Sequence, residues 1–353
     1  MKKYISLLIT FSFSFLYGYA QIEGTKYYLP KTEMRFRLLI EKTSYTPGEY
    51  AAYSERFLKK TAREQTETSY NIIGLSMYTT AIPDSSKTFI VPVDKKHTIF
   101  NVELAPNSVL LAINTKGKTY EEPDFFKPSK KKSPLNPHDF MNADILAAGS
   151  TTKMAELTAR DIYDIRNSRN ELTRGEADYT PKDGDQLKIM LANLDKQENI
   201  LLQTFQGVTV KDTVEQEIVF CPTGTTKEGE NNDDKQVLFR FSKKLGLVDV
   251  DDLAGSPYYI VVEDLKVIPV LKTAVDGEKR PKDDPGITIN MPGKIKTTII
   301  DGNEPVKSFE LYAAQYGSLE SLSSNLFGKK MITKLVLNPI NGNVESLVTE
   351  PLE

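Results

Sequence analysis

In MRFRLLIEK, Met34, Phe36, Leu38 and Ile40 alternate with Arg35, Arg37, Leu39 and Glu41. That two-residue period marks a strand with one face buried. Further strand-like runs are SYNIIGLSMYTTAI (69–82), which Pro83-Asp84 should interrupt, and SVLLAIN (108–114). KTFIVPV and TIFNVEL flank Asp94-Lys95-Lys96-His97 and read as a hairpin. After residue 207 the pattern returns to strands. TVEQEIVF alternates Val214, Gln216, Ile218 and Phe220 with Glu215, Glu217 and Val219, and QVLFRF puts Val237, Phe239 and Phe241 on one face. YYIVVE, LKVIPVLK, GITINM, IKTTII and KSFELYAAQYG follow, and Asn341-Gly342 forms a hairpin signal near the end.

Two segments carry a helical period instead. In TPGE, Thr46 suits an N-cap, Pro47 the first helical position and Glu49 the third position of a capping box. Tyr50, Tyr53 and Phe57 then form a stripe on a helix expected to end near Lys60. The stretch 154–207 predicts two helices. Met154, Leu157, Ile162, Ile165 and Leu172 mark the first. The second opens at Asp183 with Gln186 as capping partner, and carries Leu187, Met190, Leu191, Leu194, Leu201, Leu202 and Phe205 before Gly207. Arg160, Arg166, Arg169 and Arg174 interleave with Asp161, Asp164, Glu171 and Glu176, which suggests local ion pairs on a solvated face. The apolar stripe is the informative feature: Leu187, Leu191, Leu194 and Leu201 are expected to pack on the first helix and an adjoining sheet, as a brace or as a docking face.

The expected fold class is therefore α+β: antiparallel, β-rich, sandwich-like domains with an inserted amphipathic helical pair. The expected organisation is a signal peptide at 1–20, an N-terminal α+β domain at 21–115 and a Pro/Lys-rich linker or loop at 116–150. The helical pair at 151–207 and a C-terminal β-rich domain at 208–353 complete it.

The first residues, MKKYISLLITFSFSFLYGYAQ, place Lys2 and Lys3 before an apolar run, with Gly18 and Ala20 at the −3 and −1 positions before Gln21. This is the pattern of a cleaved export signal, and the apolar run is short for a membrane span. An exported chain without a transmembrane span is expected, whether periplasmic, associated with the outer membrane or extracellular. The net charge of −3 becomes −5 when Lys2 and Lys3 are removed, which argues against nucleic acid as a partner. With 39% hydrophobic residues the chain can build packed cores, and its single cysteine, Cys221, leaves no internal disulfide.

Motifs for chemistry are sparse. The two histidines, His97 and His138, are separated from any activated nucleophile, and neither a G-x-S-x-G elbow nor a phosphate-binding glycine loop is present. One Cys and two His do not make a zinc site. The acidic runs 228–234 and 249–252 are candidates for calcium, but neither matches a known loop pattern; Asp249–Asp252 reads equally as a cap. The reading assigns no catalytic, cofactor-binding or metal residue and no cofactor. The tyrosine pairs Tyr27-Tyr28 and Tyr258-Tyr259 are candidates for sugar-stacking rings, but adjacent strand residues face opposite ways, so each pair should split between core and surface.

The segments YYLPKTEMRFRLLIEKTSYTPGEYAAYSERFL, LLAINTKG, KMAELTARDIYDIRNSRNELTRGEAD, PKDGDQLKIMLANLDKQENILLQTFQG and VLNPINGNVESL occur in an order that resembles a family of uncharacterised secreted envelope proteins of Gram-negative anaerobic bacteria, known as a domain of unknown function. The resemblance implies export and a shared fold, and carries over no activity or catalytic residue. The expected function is non-catalytic binding of an envelope protein or glycan. The alternatives are a glycan-directed hydrolase using a carboxylate pair, whose mark would be two facing acids beside stacked tyrosines, and an accessory subunit of an outer-membrane assembly.

Overall fold

The computed structural model describes residues 24–352, apart from 94, 96, 127–134, 180, 182, 225–234 and 270–285. The expected export signal at 1–20, the Lys130–Lys132 cluster and the acidic run 228–234 lie outside the described residues. The fold is antiparallel and β-rich, with short helices and one long helical pair.

The alternation read at 34–41 is part of a much longer strand, β1 (Gly24–Thr46). Met34, Phe36, Leu38 and Ile40 are 0–4% exposed, while Arg35, Arg37, Leu39 and Glu41 face outward. β1 pairs with β2 (Glu67–Pro92) on one side and β5 (Val208–Phe220) on the other. A second sheet has the order β10-β9-β8-β6-β7, from β6 (Gln236–Ser242), β7 (Gly246–Val248), β8 (Ser256–Val267), β9 (Ile287–Asp301) and β10 (Glu304–Leu322). A third has the order β12-β11-β4-β3, from β3 (Val102–Leu104), β4 (Leu110–Ile113), β11 (Met331–Leu337) and β12 (Val344–Pro351).

Two cores lie between these sheets, and the long strands pass through both. The first half of β1 (Tyr27, Leu29) and of β9 (Ile287, Ile289, Met291) packs with Leu110, Ile113, Leu335 and Leu337. The second halves (Phe36, Leu38; Ile295, Ile299) pack with Leu238, Phe239, Phe241 and Ile260. The 21–115 and 208–353 segments are interleaved: β4 pairs with β11, and β1 pairs with β5.

Where β1 passes from one core to the other, Pro30 marks a register shift against β2 and the β9–β10 pairing breaks between Ala313 and Ser318. The strands come so close there that a Cβ on Gly317 would stand 1.7 Å from the Met291 carbonyl oxygen. A polar seam closes the gap. The Gln315 side chain accepts from Thr32 N (3.1 Å) and donates to Thr32 O (2.6 Å) and Pro222 O (3.2 Å), and Ala314 N donates to Thr32 Oγ1 (3.1 Å). Cys221, a half-buried free thiol, sits beside this seam with Sγ 3.9 Å from Thr32 O.

Three local expectations are corrected. Thr46 ends β1 opposite Val208 instead of capping a helix, and the helical stretch begins later, as a 3-10 turn at Ala51–Tyr53 and α1 (Ser54–Leu58) with no side-chain cap. The capping box fails because sheet pairing holds Thr46 extended, and Gly48 lies against the Thr204 carbonyl. Pro83 does not end its strand: β2 continues through residues 84–87, which leave the β1 ladder as an excursion held by Asp84 Oδ1 on Ser86 N (3.1 Å). The proline is tolerated because it sits at an edge beside a register break. KTFIVPV and TIFNVEL do not pair as a hairpin; the first pairs with β1, and Val102–Leu104 pairs with β4.

Between β4 and the long helices, residues 120–126 lie on the outer face of the β1–β2 pair. A 3-10 turn at Pro137–Phe140 and α2 (Ala143–Leu146) join a third apolar cluster with α3 (Thr151–Arg174) and α4 (Gly184–Gln206). Among the described residues no helix is long and apolar enough to cross a membrane.

Candidate functional site

The helical pair is a two-helix arm with a packed base and a distal half that stands clear of the cores. Ser150 caps α3, accepting from Lys153 N (3.3 Å), and Gly175 ends it at φ 73°. Asp183 caps α4, accepting from Asp185 N (3.0 Å); Gln186 makes no capping bond among those seen. At the base, Ala155, Ala159 and Ile162 of α3 meet Leu201 and Phe205 of α4 around Tyr50, whose ring meets Phe205 edge-on at 5.5 Å. Small residues at 155 and 159 let the elements approach closely. Tyr50 N donates to Thr204 O (2.7 Å), which ties the arm to the end of β1.

A charged clamp sits one turn further out. Glu198, 7% exposed, receives Arg166 Nε on one oxygen (2.6 Å) and Arg169 Nη1 on the other (2.8 Å), and Arg169 also meets Asp195 (2.7 Å). The hydrogen bond to Asp195 and the charge of Glu198 hold the Arg169 guanidinium above its ordinary range. The expectation of purely local pairs is corrected here. Arg160 pairs locally with Glu156, but Arg166 and Arg169 reach across to α4.

Beyond the clamp the packing thins. Leu172 is buried and Leu187, Leu191 and Leu194 are half-buried, but Ile189 is 62% exposed and Tyr179 70% exposed. Of the four leucines expected to pack on a sheet, only Leu201 is fully buried, and its neighbours are helical rather than a sheet.

The richest polar arrangement is elsewhere, on the outer face of the β1–β2–β5 sheet. Tyr78 of β2 points its hydroxyl at Glu217 Oε1 of β5 (2.5 Å) and at Glu122 of the overlying segment. Arg37 of β1 meets Glu122, Glu215 (3.2 Å) and Glu217 (3.6 Å), and its guanidinium lies 5.0 Å from the centre of the Tyr78 ring. Arg35 bridges Glu217 (2.8 Å) and Glu33 (2.8 Å). Tyr120 stacks nearly parallel to Tyr78 (9°, centroids 6.5 Å apart), Phe125 tilts against it, and Phe126 covers Gly74. The segment 120–126 thus forms a strap over the face. Burial and the two carboxylates push the Tyr78 phenol well above its usual range. The Tyr78 hydrogen bond, with the Arg35 and Arg37 charges, outweighs desolvation and holds the Glu217 carboxyl below the usual carboxylate range.

This cluster was not read from the sequence. Its acids are 44 to 139 residues from Tyr78, and the alternating charges of β1 were the only local signal. The features singled out for chemistry are dispersed. His138 Nε2 meets Glu49 (3.0 Å) on the surface, and His97 bridges to Gly328. Tyr27 is fully buried with its hydroxyl on Thr288 O (2.9 Å) and Tyr28 is half-buried, whereas Tyr258 and Tyr259 are both half-buried, with Tyr258 stacked on Phe239. Asp252 Oδ1 accepts from Ala254 N (2.9 Å) in a turn. Among the described residues, no group of three or more His, Cys, Asp or Glu is placed to hold a metal.

No curated protein and no solved structure matches the chain. One family model does, over residues 23–345. That match takes in the arm and every strand up to β11, and ends at the start of β12. The chain belongs to the family described as domain of unknown function DUF4831.

Proposed function

We propose that this is a non-catalytic, exported cell-envelope protein of a Gram-negative anaerobe that binds a protein partner through the distal half of its helical arm. The observation that carries the reading is the contrast along α3 and α4. Their base is packed, their middle is clamped by Glu198, and their far ends present Tyr179, Ile189 and Met190 to solvent. Ile189 and Met190 of α4, with Tyr179 of the loop that joins the helices, make an exposed apolar tip that suits an apolar groove on another protein; a glycan would ask for flat rings bordered by polar groups.

The test is crosslinking and pull-down from envelope fractions with the full mature chain, comparing wild type with Ile189→Asp and Tyr179→Ala. Loss of the captured partner at unchanged thermal stability is expected. Equal capture by the variants overturns the reading, as does enzyme-like turnover of glycosides, peptides or esters. Capture of several outer-membrane subunits would favour the accessory-subunit version.

The hydrolase alternative has one observation in its favour, the convergence of Glu122 and Glu217 on Tyr78 beside Tyr120. Their contacts weigh against it. Glu217 is engaged on both oxygens, by Tyr78 (2.5 Å) and Arg35 (2.8 Å), and Glu122 is held by Tyr78 and Arg37, so the pair is tied up in structural bonds where a glycosidase needs two acids facing a sugar.

A further inference from the structure

The three sheets have six terminal strands, and five of them are blunted. β2 carries Pro83, the 84–87 excursion and Pro92. β10 carries Pro305 and breaks register with β9 twice. β12 has a register shift against β11 and reaches Pro351. β3 and β7 are three residues each. These are the usual defences of an edge against pairing with another chain. β5 has no proline, register break or shortness of this kind; its defence is charge alone, at Lys211, Glu215 and Glu217 outward and at Asp212 on the inward face. It is 13 residues long, holds no Pro or Gly, and keeps unbroken register with β1 from Val208↔Thr46 to Phe220↔Met34. Among the described residues no strand pairs with its other side.

The side chains of β5 are also incompletely covered. On its inward face Ile218 and Phe220 pack on the second core, but Val210 and Val214 remain 43% and 45% exposed. On the inward face the order of residue types is symmetric about Val214: Val208, Val210 and Asp212 answer Phe220, Ile218 and Gln216. An antiparallel copy centred there would set Val214 against Val214 and Val210 against Ile218 on the inward face. Lys211 would meet Glu217, and Thr213 would meet Glu215, on the outward face. Lys211 with Glu217 is an opposite-charge pair of the kind that supports a ladder, added to the contacts each already makes within the chain, Lys211 with Glu41 (3.0 Å) and Glu217 with Arg35 (2.8 Å). The arrangement is the self-complementary contact a two-fold axis requires.

We propose that β5 is a homodimer edge: two copies of this chain pair their β5 strands antiparallel about Val214 and merge two three-stranded sheets into one of six. The occupant is a second copy because the complementarity is palindromic. An unrelated strand would have no need of an inward face symmetric about Val214.

The experiment is sedimentation velocity of the mature chain over a concentration series, for wild type, Val214→Lys and Val214→Cys. Wild type is expected to dimerise. Val214→Lys apposes two like charges on the axis and should be monomeric where wild type is dimeric, with an unchanged circular dichroism spectrum. Across an antiparallel pair the Cα atoms are about 4.5–5.5 Å apart, within disulfide reach. Oxidised Val214→Cys should therefore run as a covalent dimer, while wild type, holding only Cys221, should not. A wild type monomeric throughout, or a dimer that survives Val214→Lys with no crosslink at position 214, overturns the proposal. Should Val214→Lys fail to fold, the crosslink decides. None of these outcomes bears on the arm, so the proposed partner binding stands or falls separately.

Discussion

The β body and the helical arm use their hydrophobic patterns to different depths. On β1 the apolar side chains from Met34 to Ile40 are sealed between sheets. On α4 the apolar stripe runs the length of the helix, yet full burial is confined to its last turns, from Glu198 to Phe205. A strand in a sandwich has its opposite wall supplied by the same fold, so alternation predicts burial well. An amphipathic helix announces only that its face needs cover. It does not say whether the cover belongs to the same chain.

That contrast can be broken at several points. The largest effect is expected from Phe36→Ala, which empties a fully buried site in the second core and should cost about 3–5 kcal/mol, read by denaturant unfolding of the whole body. Glu198→Ala comes next. It leaves Arg166 and Arg169 without their shared acceptor, at a cost of about 1–3 kcal/mol. The loss should appear as faster amide exchange beyond residue 165 in α3 and before residue 198 in α4, with the body's amides still protected. If the body loosens equally, the arm is not a separate unit of stability.

A smaller effect concerns pH. The folded Glu217 carboxyl is held low, so its contribution is present above the unfolded carboxylate pKa and is lost as pH falls through the lower folded value. Acidification should therefore loosen the strap at 120–126, read by tyrosine fluorescence, and Glu217→Gln should flatten that response. Ile189→Asp should do least to stability, within about 0.5 kcal/mol of wild type, while abolishing partner capture. Leu194→Asp sharpens the boundary between brace and docking face. A marked fall in melting temperature would place position 194 in the brace, and an unchanged one with lost capture would place it in the docking face.

How much was legible follows the same division. The strand at 34–41, both long helices, the Asp183 cap and the Gly207 stop were readable because each rests on contacts within a few residues. The TPGE capping box was misleading because Thr46 is held by Val208, which local pattern cannot reveal. The KTFIVPV hairpin failed for a related reason: proximity in sequence favours a hairpin, but Gly24–Tyr28 offers that strand a longer partner. The Tyr78 cluster was hidden because its acids come from β5 and from the strap, brought together only by the sheet. The exposed end of the arm lay open to reading, since heptad-like spacing at 187–194 was visible; what was missing was the absence of a wall opposite it.

The threading of β1 through both cores has a consequence for how the chain is made. Tyr27 shares a core with Leu335 and Leu337, nearly the whole sequence away. A chain emerging N-terminus first therefore cannot complete its earliest strand until almost its last residues have appeared. Such long-range closure is slow and leaves apolar strands uncovered meanwhile. Synthesis and folding of this protein are thus separated in time, and a product cut short before residue 331 should be recognised as unfinished by any holdase or protease that reads exposed strands.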